Sequence, residues 1–157
     1  MSINNQKLQS MLYGAFYGDA YSLGGHWVYD TTEIENASFD LSDCNNPISS
    51  YHPTKSKGDF THYGDQTLFL LEYISKNKSF NKEDFYKFWS EKMSNYNGYI
   101  DGATRNALEA MDSASNDLSI CGRYAPLLLI SESKEEFLKN VTPLTEITHN
   151  SQLAKTT

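Results

Sequence analysis

The sequence predicts an all-α fold, and three observations lead to that prediction. Apolar residues recur at helical spacing in several segments of the 157-residue chain, capping residues precede some of those segments, and no stretch alternates as a half-buried strand does. A chain of this length can bury one core of reasonable size. We therefore expect residues 1–157 to form a single domain.

The N-terminal third is predicted as one helix followed by a long loop. The helix covers residues 5–23, and its apolar positions are Leu8, Met11, Leu12, Ala15 and Phe16. Gly14 and Gly18 lie on it, and because a glycine costs a helix about 1 kcal/mol, the pair suggests close approach by another backbone or a ligand. Residues 24–58 show no period, so we expect a functional or mobile loop.

Six further helices are predicted from periodicity and capping. They span Asp65 to about Lys76, a segment from Asn81, roughly Gly102–Ser115, residues 119–131, a segment from Ser133, and a last one from Thr145 or Thr148. Ser133-Lys-Glu-Glu136 has the pattern of a capping box, and Asn81 with Asp84 marks a helix start. The chain has no internal repeat.

Composition and charge exclude several functional classes. The chain is 39% hydrophobic and 21% charged, with no apolar run near the roughly 20 residues that span a bilayer. A net charge of −7 argues against nonspecific binding of nucleic acid, which needs Lys and Arg against phosphate. Cys44 and Cys121 lack metal spacing, and the N-terminus lacks the layout of a signal peptide. We expect a cytoplasmic protein with reduced thiols, although a disulfide between the two stays open.

Gly-Asp-Gln-Thr at Gly64–Thr67 is the most informative motif. It places a carboxylate, an amide and a hydroxyl on Asp65, Gln66 and Thr67, just before an apolar helical run. Oxygen ligands of these kinds suit Mg²⁺. The alternative is a plain helix cap, with Asp65 or Gln66 binding the first backbone amides, and on the motif alone the cap is the commoner meaning.

An aspartate and an aromatic turn are candidates upstream of this motif. Asp19 must be paired or solvated if it is buried, either by the amides of the following turn or in support of a site. His26 and Trp27 could stack on a nucleotide-like ligand, although a packed aromatic turn is the commoner meaning.

Three further candidates lie downstream. The Gly-punctuated stretch around Asp101 and Gly102 enters a helix, where exposed amides bind anions, or Asp101 is simply the N-cap. Arg123 lies in the most apolar segment and must be paired if buried, so an ion pair with a carboxylate is favoured over ligand contact. His149 is expected at the start of a helix. Its side chain either makes an ordinary polar contact, which is the commoner role of a single histidine, or acts as a catalytic group.

Five short segments, taken in order, resemble the ADP-ribosylglycohydrolase family. They are Gly18-Asp19-Ala20, Gly64–Thr67, the glycine-rich Gly98–Thr104, Gly122-Arg-Tyr-Ala-Pro-Leu127 and Thr148-His149. Each is only two to six residues long, and the resemblance rests on their order over essentially the whole chain.

The resemblance implies an all-α fold in which two Mg²⁺ ions (Mn²⁺ in some members) position ADP-ribose and activate a water that cleaves an N- or O-glycosidic bond. It implies metal binding by Asp65, Gln66 and Thr67, and catalytic roles for Asp65, Asp101 and His149. The substrate-binding residues that it implies are His26, Trp27, Gly102, Ala103, Thr104 and Arg123. The implied partner is ADP-ribose or an ADP-ribosylated protein.

Two substitutions in the metal motif, which together are the first departure from the family pattern, predict a weaker metal site. Gln66 stands where the family has a second carboxylate, and Gly64 stands where it has a hydroxyl. The chain also resembles the N-terminal half of the family fold, and its His26–Asp30 segment is similar to the J1-crystallin branch. The alternatives are therefore an inactive, crystallin-like structural protein, or a half that needs a second chain or self-associates through an exposed apolar patch.

Overall fold

Helices build the part of the chain that the computed structural model describes, which is residues 5–109 and 113–156. The α-helices are α1 (Asn5–Ser22), α2 (Thr31–Asn36), α3 (His62–Asn77), α4 (Lys82–Ser94), α5 (Gly102–Leu108), α6 (Lys134–Thr148) and α7 (Gln152–Thr156). Three 3-10 segments are Leu23–Gly25, Leu118–Arg123 and Ala125–Ile130. These ranges contain no strand, and an isolated bridge joins Ala114 to His149. The prediction of an all-α fold is confirmed.

Helix α3 is the centre of the arrangement. It packs against α1, α4 and the two later 3-10 segments, while α6 packs against α4, α5 and the segment Ala125–Ile130. The buried apolar core between them consists of Leu70, Tyr73, Ile74, Phe85, Trp89, Met93, Ala107, Leu127, Leu144 and Ile147. Within the two described ranges, no helix is both long and apolar enough to cross a membrane.

Three predicted helix starts are confirmed by their caps. The side chain of Asn81 accepts a hydrogen bond from the Asp84 amide at the start of α4. Asp101 caps α5 in the same way, and Ser133 caps α6 through the Glu136 amide. Each cap joins residues three positions apart, which is why the sequence alone identifies it.

Helix α3 begins earlier than predicted. Thr61 is its N-cap and accepts a hydrogen bond from the Tyr63 amide, so the expectation that Asp65 or Gln66 caps this helix is wrong. Both residues lie inside the helix, with their side chains free for tertiary contacts. Helix α5 ends at Leu108, short of the predicted Ser115, and residues 110–112 of that span lie outside the described residues.

The C-terminal predictions need two corrections. Residues 119–131 form two 3-10 segments instead of one α-helix, and Pro126, which has no N–H to donate, lies at the start of the second. Thr145 and Thr148 lie within α6, which continues past Pro143, so neither opens the last helix. Helix α7 starts after Ser151, whose hydroxyl accepts a hydrogen bond from the Ala154 amide.

The predicted loop over residues 24–58 is also partly wrong, because it contains α2. The carboxylate of Asp30 caps α2 by accepting a hydrogen bond from the Thr32 amide. Helix α2 has only six residues, which is too short to show a helical period in the sequence, so the periodicity did not predict it.

Helix α1 exposes much of its surface. A Cβ added to Gly14 or Gly18 would have no neighbour within 4 Å, so the predicted close approach by another backbone is not found among the described residues. Close approach by a ligand stays a prediction. Met11, Tyr13 and Tyr17 are exposed on the same helix. Self-association, or a second chain on this surface, stays a prediction. Cys44 and Cys121 are free thiols, as expected for the reduced state.

Candidate functional site

The first turn of α3 is attached to α1 through Asp19. Its carboxylate accepts hydrogen bonds from the Thr61 amide (2.8 Å) and hydroxyl (2.7 Å). Burial raises the pKa of Asp19, and the bonds from Thr61 lower it, with a net raised value. The partner of the Asp19 carboxylate is therefore Thr61, which is far along the chain. The alternative that Asp19 binds the backbone amides of the turn that follows it is not what the structure shows.

Gly64 is required by this contact. A Cβ at Gly64 would lie 2.6 Å from Cγ of Asp19 and 2.8 Å from Cβ of Phe60, distances that side-chain atoms do not adopt. The two hydrogen bonds from Thr61 hold the carboxylate in place, so it cannot move aside cheaply. The absence of a hydroxyl at position 64 is thus a consequence of packing against Asp19.

Asp65 is paired with a lysine. Its Oδ2 atom lies 2.5 Å from Nζ of Lys55 and accepts a hydrogen bond of 2.6 Å from the Tyr96 hydroxyl. The Lys55 and Asp65 side chains are 14% and 17% exposed, so water screens this pair only in part. Burial, and then the bond to Asp65, raise the pKa of Tyr96, which therefore stays a donor.

Gln66 and Thr67 point to other partners. Gln66 is fully buried; its Oε1 accepts from Nε1 of Trp89 (2.9 Å) and its Nε2 donates to Oγ1 of Thr104 (3.2 Å). The Thr67 hydroxyl donates to the Tyr63 carbonyl one turn earlier (2.9 Å). Gln66 therefore joins α3 to α4 and α5, which a sequence reading could not foresee because both partners are distant along the chain.

Asp101 is the centre of a second polar group. Its Oδ1 accepts a 2.6 Å hydrogen bond from the Thr104 amide, and its Oδ2 lies 3.4 Å from Nε2 of His62. Burial raises the pKa of Asp101, but the interactions with His62 and Thr104 outweigh burial and hold it well below its usual range. Asp101 is therefore an anion at neutral pH.

Arg123 lies close enough to Asp101 for their charges to interact. Its side chain is buried (2% exposed), and its NH1 donates to the Thr148 hydroxyl at 3.2 Å. Burial lowers the pKa of Arg123 to about 10, while the nearby charge of Asp101 acts in the opposite direction. Among the described residues no carboxylate lies within ion-pair distance of the guanidinium, so the predicted ion pair is not found there.

His149 is held beside Arg123. It terminates α6 instead of opening a helix, because its amide donates to the Thr145 carbonyl. Its Nδ1 lies 2.9 Å from the Thr148 hydroxyl, which also accepts from Arg123. Burial, and then Arg123, lower the pKa of His149, so the imidazole is neutral at physiological pH.

Four polar atoms in this region lack an aligned hydrogen-bond partner among the described residues. They are Nδ1 and Nε2 of His62, Nε2 of His149 and Oγ of Ser119, and all are buried. Buried polar atoms are nearly always paired with protein, water or ligand. The two histidines lie near Asp101 and Arg123, so they mark a place where a polar ligand or water would gain hydrogen bonds.

An aromatic cluster lies next to His62. Trp27 stacks on His26 (centroids 4.6 Å apart) and on His52 (5.4 Å), and Tyr99 meets Trp27 edge-on. Nδ1 of His26 lies 2.9 Å from Nε2 of His52. Burial, and then the other histidines, lower the pKa of His26 to about 4. His26 and Trp27 thus form the packed aromatic turn that was one of the two alternatives.

His62 joins the two groups, and the sequence reading assigned it no role. Its ring centroid lies 5.1 Å from that of Trp27, while its Nε2 faces Asp101. Lys55, His52 and Tyr96 were missed as well. The only sequence signal for His62 was its place directly after a helix-capping threonine, which says nothing about its tertiary contacts.

A comparison with family models identifies the protein family, which the geometry alone does not. The model described as ADP-ribosylglycohydrolase matches residues 2–156. The chain belongs to the ADP-ribosylglycohydrolase family. No curated protein and no solved structure matches the chain. Family membership makes ADP-ribosylated substrates the expected kind of partner.

The three residues that the family resemblance makes metal ligands do not fit a divalent cation as they stand. The Asp65 carboxylate is paired with the Lys55 ammonium, the Gln66 carbonyl with the Trp89 indole, and the Thr67 hydroxyl donates within its own helix. The described residues also contain no group of three His, Cys, Asp or Glu side chains suited to a metal. Binding of Mg²⁺ or Mn²⁺ stays a prediction, which these contacts do not favour.

The other predicted residues of this family member fall into one neighbourhood. Asp101, Thr104, Arg123 and His149 meet around the unpartnered atoms, and His26 and Trp27 reach them through His62. Gly102 is exposed, and the position of its missing Cβ is open space. Ala103 is half-buried behind it. Asp65 lies apart, bound to Lys55 and Tyr96.

Proposed function

We propose that this chain binds the ADP-ribosyl group of a modified protein at the polar neighbourhood around Asp101. The observation that carries the proposal is a pair of buried imidazole nitrogens without an aligned hydrogen-bond partner among the described residues, Nδ1 of His62 and Nε2 of His149, near Asp101. Ribose hydroxyls both donate and accept, so they suit an imidazole nitrogen as well as a carboxylate. A bound sugar would supply the hydrogen bonds that the protein does not.

The charges of the neighbourhood support the same ligand. Arg123 is a buried cation whose hydrogen bond goes to a neutral hydroxyl, and a diphosphate would provide the opposite charge. Asp101 is an anion that would accept from a ribose hydroxyl. The exposed backbone at Gly102, with open space over its Cα, leaves room for a ligand at the surface end.

Isothermal titration with ADP-ribose tests the proposal. We expect a micromolar dissociation constant for the wild type and at least ~10-fold weaker binding, about 1.4 kcal/mol, for Asp101→Asn and His149→Gln. Asp30→Asn is the matched control, because Asp30 also caps a helix but is exposed and is far from Asp101 along the chain. Equal affinity in all four proteins, or no binding by the wild type, would contradict the proposal.

Hydrolysis of the N- or O-glycosidic bond is the reaction expected of the family, and a direct assay decides whether this chain performs it. ADP-ribosylated protein would be incubated with the wild type, with and without Mg²⁺, and free ADP-ribose measured. Release that is lost in Asp101→Asn would extend the proposal from binding to catalysis.

A second candidate function is structural. The contacts of Asp65 and Gln66 favour it, because both side chains are used to hold helices and a loop together. A crystallin-like protein would keep the fold without binding nucleotide. It predicts no heat with ADP-ribose and no release of ADP-ribose in the assay above.

A further inference from the structure

Lys55 approaches α3 from the segment between α2 and α3. Its ammonium lies against Oδ2 of Asp65 and 5.4 Å from the centre of the Tyr96 ring, while the Tyr96 hydroxyl donates to the same Oδ2. The carboxylate thus accepts from a full positive charge and from a neutral hydroxyl. A metal ligated through Oδ2 of Asp65 would have to displace both.

We propose that Lys55 is a resident cation: its ammonium takes the position and the charge of a divalent ion at Asp65. The carboxylate of α3 is then balanced without metal, and Lys55 keeps Asp65 from acting as a metal ligand. The inference concerns this chain's own departure from the ligand set that its family resemblance implies.

The charges around the first turn of α3 support this assignment. Asp19 and Asp65 are close enough for their charges to interact, and Asp65 contributes to the raised pKa of Asp19. The Thr61 amide and hydroxyl already satisfy Asp19. One ammonium therefore balances the remaining carboxylate, whereas a divalent ion would need further anionic oxygens.

Gln66 is not available as a neutral ligand to a metal ion beside Asp65. A carbonyl oxygen could serve as a neutral ligand, but Oε1 of Gln66 accepts from the Trp89 indole in the core. Rotating it towards a metal would leave a buried N–H of Trp89 without a partner. The amide at position 66 and the ammonium of Lys55 thus both disfavour a metal ion at Asp65.

The lysine also performs the ordering role of a bound ion. The Lys55 amide donates to the His52 carbonyl, and the His52 ring stacks on Trp27. The ion pair therefore fastens the segment between α2 and α3 to α3 and, through His52, to the aromatic cluster. A metal ion would order a loop by the same kind of crosslink.

Titration with Mn²⁺ in the absence of nucleotide tests the inference, and this makes its outcome independent of ADP-ribose binding. The proteins are the wild type, Lys55→Met, Lys55→Gln, Lys55→Arg, Asp65→Asn and the double variant Lys55→Met with Asp65→Asn. Lys57→Met is the matched control, because Lys57 pairs with Asp43 at 2.7 Å but both side chains are about half exposed (49% and 54%). Calorimetry gives affinity, and thermal unfolding with and without Mn²⁺ gives a second readout.

We expect Lys55→Met and Lys55→Gln to bind Mn²⁺ at least ~10-fold more tightly than the wild type, with a rise in unfolding temperature on adding the ion. Lys55→Arg, Lys57→Met and the double variant should behave like the wild type. Two results would overturn the inference: Mn²⁺ binding by the wild type that Asp65→Asn abolishes, or Lys55 variants that fold and remain as insensitive to Mn²⁺ as the wild type.

Discussion

The carboxylate of Asp19 and the backbone and hydroxyl of Thr61 form a two-pronged contact between α1 and α3, although 42 positions separate them. Thr61 is also the residue that caps α3. One threonine thus fixes where α3 begins and how it lies against α1. The positions of Gly64, Asp65 and Gln66 follow from this contact.

Gly64→Ala should lower the free energy of unfolding by about 2–3 kcal/mol, because the added methyl would overlap Asp19 and Phe60. Urea unfolding at pH 7 measures the change. Gly14→Ala is the control, since its methyl meets open space; it should raise the free energy of unfolding by about 0.5–1 kcal/mol. Equal effects at both glycines would contradict the packing described for Asp19.

Gln66→Glu should destabilise the fold by about 2–3 kcal/mol at pH 7, because it buries a charge and removes the donor to Thr104. Burial raises the pKa of a carboxyl, so the deficit should grow as pH rises and shrink as the new side chain is protonated. Urea unfolding at several pH values checks this. Gln152→Glu, on the exposed first turn of α7, should change stability by less than about 0.5 kcal/mol.

Asp101→Asn should cost about 1–3 kcal/mol at pH 7, because the charged acceptor for Thr104 is lost. The pKa of Asp101 is lower in the folded than in the unfolded chain, where it is near 3.8. The contribution of ionised Asp101 to the free energy of unfolding is therefore complete above pH 3.8. It is lost as the pH falls from 3.8 towards the pKa that Asp101 has in the folded chain. Urea unfolding from pH 7 downwards should show the gap to the wild type narrowing; a constant gap would contradict this.

His26 should titrate with a pKa of about 4 in nuclear magnetic resonance spectra of its ring. Because the folded value lies below the ordinary 6.5, neutral His26 stabilises the fold above pH 6.5, and this contribution is lost as pH falls towards 4. His52→Gln should raise the pKa of His26, since one of the causes that lower it is the charge of His52. Titration near 6.5 in the wild type would show that the aromatic cluster is not packed around it.

Several features of the fold were predictable because local interactions determine them. The caps at Asn81, Asp101 and Ser133 each join a side chain to an amide three residues on. The helical class and the family resemblance likewise follow from spacing and from short segments in order. Where the sequence reading failed, as at Thr145 and Thr148 inside α6, capping residues occur within a helix that packing extends.

The sequence by itself determined that this is an all-α member of its family, with a carboxylate and an amide early in α3. Only the tertiary structure decided what those side chains do. Asp65 is joined to Lys55, and Gln66 to Trp89 and Thr104. Such partners come from different helices and a loop without periodicity, and a sequence pattern carries no information about which distant side chains meet. The charge of Asp65 is therefore balanced by a contact that only the folded chain creates.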